Sequence, residues 1–192
     1  QERLICHIVA SVLEHCGKEL AALERDISKL ENIKAPFYHL QYGEAIEMLR
    51  KLGSDTPYGE DLGNDDETIL TQQFDRLVFI ECYPKIVKAF YMKEHPENPD
   101  LVLCDDLLAP EGYGEIIGGS QREDSFDRLL ARIREQGLPE EPYDWYLDLR
   151  RYGTFVHSGF GMGIERVVAW ISGLQHIREA IPWPRTIYRL KP

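Results

Sequence analysis

The segment GFGMGIERVVAW, residues 159 to 170, constrains the fold most, because three glycines within five residues run straight into an apolar stretch with helical spacing. Glycine has no Cβ, so Gly159, Gly161 and Gly163 suit either a strand packed tightly on its neighbour or a backbone that a ligand approaches closely. Arg166 falls within the first turn of the helix and carries an always-charged fork of donors where a helix N-terminus already favours anions. The spacing matches neither the Rossmann G-x-G-x-x-G nor the P-loop. What it implies is a strand-to-helix element that receives an anionic ligand.

A second cluster, DLLAPEGYGEIIGGSQRE at 106 to 123, reads as a hairpin. Leu101, Val102 and Leu103 look like a strand, PEGYG supplies turn chemistry, and Ile116 and Ile117 begin the returning strand. That arrangement aims Asp106 and Glu115 at one pocket. Two hard oxygen donors suit Mg²⁺, which one or two carboxylates hold together with substrate phosphates. Acidic residues beside a turn are otherwise simply solvated.

Taken together, YPKIVKAFYMK (83 to 93), GEIIGGSQRE (114 to 123), LPEEPYDWYLDLRRYG (138 to 153) and HSGFGMGIER (157 to 166) resemble the class II aminoacyl-tRNA synthetases of the aspartate and asparagine branch. The wording KAFYM and GEIIGGSQRE resembles the asparagine enzymes, whereas archaeal-type aspartate enzymes tend to have proline where Ala89 stands. The resemblance implies an α+β catalytic domain, an antiparallel sheet with flanking helices, that activates asparagine with ATP and transfers it to tRNA(Asn). It implies that Arg166 and Glu115 are catalytic and bind ATP with Gly163, that Asp106 and Glu115 hold Mg²⁺, and that Arg122 faces the side-chain end of the amino acid, with Tyr91 and Gly118 lining that pocket. His157 either hydrogen-bonds ATP or satisfies a local backbone group. A homodimeric, cytoplasmic parent is expected. The alternatives are an aspartyl-tRNA synthetase, an asparagine synthetase on the same fold, and a non-catalytic nucleotide-binding module.

Two further motifs of that family, an interface helix and strand and an arginine-glutamate clamp for the α-phosphate, have no match in this chain. Residues 1 to 192 are thus expected to be one domain, the C-terminal part of a catalytic domain truncated at its N-terminal side, without an anticodon-binding domain and inactive alone. Composition fits: 43% of residues are hydrophobic, with no apolar run near the ~20 residues of a membrane span. Cys6, Cys16, Cys82 and Cys104 form no C-x-x-C pair, so neither zinc nor a disulfide framework is implied. The net charge of −11 argues against a general nucleic-acid surface. Residues 151 to 192, however, carry five arginines and one lysine against two glutamates, so the basic charge lies with the glycine motif and suits phosphates locally.

Apolar spacing predicts a long helix to about residue 30, a short strand over 36–39 and a helix over 44–52 stopped by Gly53. Residues 53–67 read as an acidic loop and 68–77 as a helix. Strands are expected over 78–81, 89–91 and 101–104, a helix over 125–137 continued loosely by PYDWYLDLRRYG, and a last helix over 165–172 ending at Gly173. The PWPR segment is expected to be extended.

Overall fold

The structure, a computed structural model, describes residues 1–191. Its centre is a five-stranded sheet in the order β1 (Tyr38–Gln41), β2 (Val78–Glu81), β3 (Cys104–Ala109), β4 (Gly114–Gln121), β5 (Ser158–Met162). The pairs β2–β3, β3–β4 and β4–β5 are antiparallel as expected, while the edge strand β1 runs parallel to β2. Between β1 and β2 the chain passes through two helices, the kind of crossover a parallel pair requires.

Each face of the sheet has its own core. Ile5 and Val9 of α1 (Glu2–His15) and Val167, Trp170 and Ile171 of α8 (Ile164–Ser172) pack on Phe79, Leu107, Ile116 and Ile117. On the opposite face, α4 (Tyr42–Lys51) and α5 (Asn64–Thr71) cover Val78, Ile80 and Leu108. A third cluster joins α6 (Phe126–Glu135) and α7 (Asp144–Arg151) through Leu129, Ile133 and Leu147. The second face is therefore roofed over β1 to β3. Above β4 and β5 it presents Gly118, Ser120, Gly159 and Gly161, as the pairing Gly118↔Gly161 and Ser120↔Gly159 shows.

Several local expectations are corrected. The first helix ends at His15, where Cys16 leaves helical geometry at φ −115° and ψ 25°. Next come α2 (Gly17–Ala22) and α3 (Ser28–Glu31), which are separate because Glu24 adopts a left-handed φ of 55° and Asp26 captures both the backbone N–H and hydroxyl of Ser28. The helix expected over 68–77 is α5, which starts and stops earlier. Its first turn holds Asp65, Asp66 and Glu67, a run of acids that the positive end of the helix dipole favours. Residues 89–91 form a turn rather than a strand, with the N–H of Met92 bonded to the carbonyl of Ala89 at 3.1 Å. Leu101 and Val102 make only isolated bridges, and the strand proper begins at Cys104. PYDWYLDLRRYG does not extend α6, since Gly137 at φ 65° ends that helix before the separate α7.

The acidic loop before α5 is pinned rather than freely solvated. Asp66, buried, accepts from the hydroxyls of Ser54 and Thr56 at 2.7 Å each, and the Tyr42 hydroxyl accepts from Gly59 N at 2.9 Å and donates to the Glu60 carbonyl at 2.7 Å.

Candidate active site

A bulge decides where the acids point. Leu107 pairs with Ile117 but Leu108 pairs with Glu115, so Ile116 is the extra residue in β4. In an uninterrupted strand, residues 115 and 118 would lie on opposite faces. The bulge instead sends Ile116 and Ile117 both into the core beneath and returns Glu115 to the face that carries Gly118. Asp106 stands directly across from Gly118, and a Cβ built on Gly118 would lie 2.8 Å from Glu115 Oε1 and 3.5 Å from Asp106 Oδ1. The two carboxylates thus converge above a glycine, as the sequence reading expected.

Charge around the pair is partly compensated. Asp106 Oδ2 receives the Lys88 ammonium at 2.8 Å, and Lys88 also binds Asp61 at 3.0 Å while lying 3.8 Å from the centre of the Tyr83 ring. Burial first, and then Asp106, push the Glu115 carboxyl above its usual range, while Arg166 and Lys88 pull it back. A divalent cation on Asp106 Oδ1 and Glu115 Oε1 would relieve that repulsion. Among the described residues no group of three or more His, Cys, Asp or Glu side chains is placed to hold a metal. Such an ion would therefore complete its shell with substrate oxygens and water, the habit of Mg²⁺.

Arg166 enters from α8. Gly163 caps that helix and donates its N–H to the Ile116 carbonyl at 2.9 Å, and the stem of Arg166 folds back to 3.4 Å from where a Gly163 Cβ would stand. Arg166 Nη1 donates to the Glu115 carbonyl at 2.6 Å, with Glu115 Oε2 at 3.9 Å, and its side chain stays 48% exposed, which leaves the rest of the fork free for an anion.

Arg122 marks the other end. Its Nη1 donates to the Ser120 hydroxyl and carbonyl, its guanidinium carbon lies 4.8 Å from the centre of the Tyr91 ring, and its backbone N–H donates to the His157 carbonyl at 2.9 Å. Arg122 and Tyr91 line a cavity of about 290 Å³ with Phe90, Tyr143, Trp145 and Tyr146. Nδ1 of His157 is engaged with the Phe155 carbonyl at 2.8 Å, which satisfies a local backbone group. A larger cavity of about 640 Å³, beside Lys85, Ile86 and Arg132, holds none of these groups.

The expected site residues thus fall on one face of β3, β4 and β5 or at its rim, His157 continuing β5 opposite Arg122. One placement is corrected: Gly118, expected beside Arg122 and Tyr91, is absent from the lining of that cavity and lies instead against Asp106 and Glu115, because it pairs with Asp106. The sequence reading missed Lys88, Ser120 and Glu67. Lys88 gives no local signal, since its role depends on a carboxylate 18 residues away. Glu67 had one, the acidic run after Gly63 that starts α5.

Residues 1–187 match the family of tRNA synthetases class II (D, K and N). The whole chain is 56% identical to the asparagine–tRNA ligase of Koribacter versatilis (strain Ellin345), of which it covers 45%, and 57% identical to that of Chloroflexus aurantiacus, again covering 45%. It superposes along its full length on asparaginyl-tRNA synthetase from Pyrococcus horikoshii complexed with asparaginyl-adenylate, with a TM-score of 0.96, 53% identity and 44% of that chain covered. An aspartyl-tRNA synthetase from Entamoeba histolytica matches with a TM-score of 0.86, 26% identity and 40% of that chain covered. The chain spans less than half the length of the curated relatives it matches. No helix among the described residues is long and apolar enough to cross a membrane. The chain belongs to the class II tRNA synthetases (D, K and N).

Proposed function

We propose that the complete protein carrying this chain is an asparagine–tRNA ligase, and that residues 1 to 192 supply, as a single domain, the C-terminal part of its catalytic domain. The observation that carries the reading is a layout. Along β4, the acids meet above Gly118 and Arg122 folds over Ser120, two residues further on, or ~7 Å at the strand rise. One end of a glycine floor thus suits phosphates and the other the polar tip of a small amino acid. The 56% identity to an asparagine–tRNA ligase favours asparagine over aspartate.

On this reading the asparagine carboxylate attacks the α-phosphorus of ATP in line, displacing pyrophosphate and forming asparaginyl adenylate. A terminal ribose hydroxyl of tRNA(Asn) then takes the acyl group and releases AMP. Arg122 donates to the amide oxygen of asparagine, and Tyr91 packs beside it. Arg166 offers its free nitrogens to the phosphates, and Gly118, Gly161 and Gly163 let the substrate lie on the backbone. Asp106 and Glu115 would hold Mg²⁺, which would supply a positive charge to offset that of the phosphate oxygens. We read the protein as a cytoplasmic homodimer.

Incubating the complete gene product with ATP, Mg²⁺, labelled asparagine and tRNA tests this. Labelled tRNA that loses its asparagine in mild base is the expected result. Labelled tRNA with aspartate instead, or no charging with either amino acid, refutes it.

A further inference from the structure

Glu115 is gripped at both its backbone N–H and its carbonyl. Arg166 holds its carbonyl from α8, while on the other side its N–H donates to Glu67 Oε2 at 2.8 Å, across a separation of 48 residues. That bond lies next to the bulge, the point at which β4 must be held for Glu115 to share a face with Gly118. Bulged positions lose a ladder hydrogen bond, so their backbone depends on outside partners. Glu67 is such a partner.

The hairpin is shaped to admit it. Gly114 takes φ 69°, in the left-handed region, and a Cβ there would collide with Glu67 Oε2. Glycine at 114 therefore serves both the backbone turn and the close approach of the carboxylate. Thr68 of the same helix also lies against the hairpin, its Oγ1 3.4 Å from the Gly112 carbonyl while its hydroxyl donates to the Asn64 carbonyl at 2.9 Å. An acid serving only the helix dipole would point into solvent instead.

We propose that Glu67 is a positioning residue for the metal and phosphate end of the site, fixing the β4 bulge so that the Glu115 carboxylate stands beside Asp106. It acts through Glu115 and needs no contact with substrate. The functional consequence rests on the reading of Glu115 given above, whereas the structural claim stands without it.

Amide hydrogen exchange at Glu115, with no ligand added, tests the structural claim. In Glu67→Ala the Glu115 amide is expected to lose protection by about tenfold, the scale of one hydrogen bond, while Glu67→Gln keeps an acceptor oxygen and stays near wild type. Thr68→Val changes the neighbouring contact of the same helix with the same hairpin and should leave that amide protected. Unchanged protection in Glu67→Ala, or equal loss in Thr68→Val, overturns the proposal. Should Glu67→Ala fail to fold, Glu67→Gln decides, and an unprotected Glu115 amide in that folded variant overturns it. In the complete gene product, Glu67→Ala should raise the Mg²⁺ concentration needed for half-maximal pyrophosphate exchange by about tenfold or more, the usual cost of losing a group that orients a ligand, with the KM for asparagine unchanged. Rescue by Glu67→Gln is expected, and an equal rise in Glu67→Gln overturns the positioning role in favour of a role for the charge. A complete product without any asparagine-dependent exchange sinks the functional reading alone, because the amide result is read without substrate.

Discussion

Arg122 Nη2 lies 3.0 Å from the point where a Cβ on Gly159 would stand, so the neighbouring strand leaves room for the guanidinium only because it has glycine there. The group cannot easily retreat, since Ser120 holds Nη1 and the Tyr91 ring lies against it. Gly159→Ala is therefore expected to displace the fork. The KM for asparagine should rise by about tenfold, the scale of mild overpacking, with the KM for ATP unchanged. Steady-state exchange kinetics on the complete gene product check this, and an equal rise in both constants would contradict it.

At the opposite end of the floor, Gly118→Ala would set a Cβ 2.8 Å from Glu115 Oε1 and push the two carboxylates apart. The expected result is the converse: a greater need for Mg²⁺ and ATP, and an asparagine KM close to wild type. Titrating Mg²⁺ against exchange rate distinguishes the two glycine variants. Identical kinetic defects in both would mean that the floor does not have two chemically distinct ends.

Arg166→Ala and Glu115→Ala should each slow ATP–pyrophosphate exchange by about a hundredfold or more, the scale of losing one group that stabilises transition-state charge. Thermal unfolding of both variants should stay near wild type, because Arg166 is half exposed and neither side chain belongs to a core cluster. Near-normal exchange in both would remove the site assignment.

Stability should respond to pH at Glu67. Burial, followed by the lesser influence of Glu115, raises its carboxyl above the ordinary value, even though the Glu115 N–H opposes the shift. A carboxyl whose folded pKa exceeds its unfolded one contributes stability that is complete below the unfolded value of ~4.3 and is lost as pH rises through the folded pKa. Glu67→Gln cannot ionise and keeps the acceptor. Its stability relative to wild type should therefore increase between about pH 4 and pH 7, measured by urea unfolding at each pH. A difference that stays flat or reverses contradicts the raised pKa.

What the sequence disclosed was the local chemistry of the site. Glycines leading into an arginine helix, and acids flanking a Pro-Glu-Gly-Tyr-Gly turn, carry their meaning in short segments, and the structure sets β5, α8 and the β3–β4 hairpin where those segments imply. The partners that orient them were hidden because they are remote in sequence: Lys88 reaches Asp106 from a bend just before residues 89–91, and Glu67 reaches Glu115 from 48 residues away. The bulge at Ile116 was hidden too, since two adjacent isoleucines read as a continuous buried strand and the extra residue shows only in the pairing register. The parallel pairing of β1 likewise depends on contacts between distant segments.

The central claim is that Arg122, seated over Ser120 and Gly159, reads the amide of asparagine. Arg122 has only donors and by itself suits a carboxylate as well as an amide, so discrimination requires surroundings that leave a carboxylate unsatisfied. The direct measurement is ATP–pyrophosphate exchange by the complete gene product, with asparagine and with aspartate under the same conditions. The account predicts a kcat/KM for asparagine above that for aspartate by about a thousandfold or more, within the range a site matched to a polar group can reach. Comparable values, or a preference for aspartate, would contradict it.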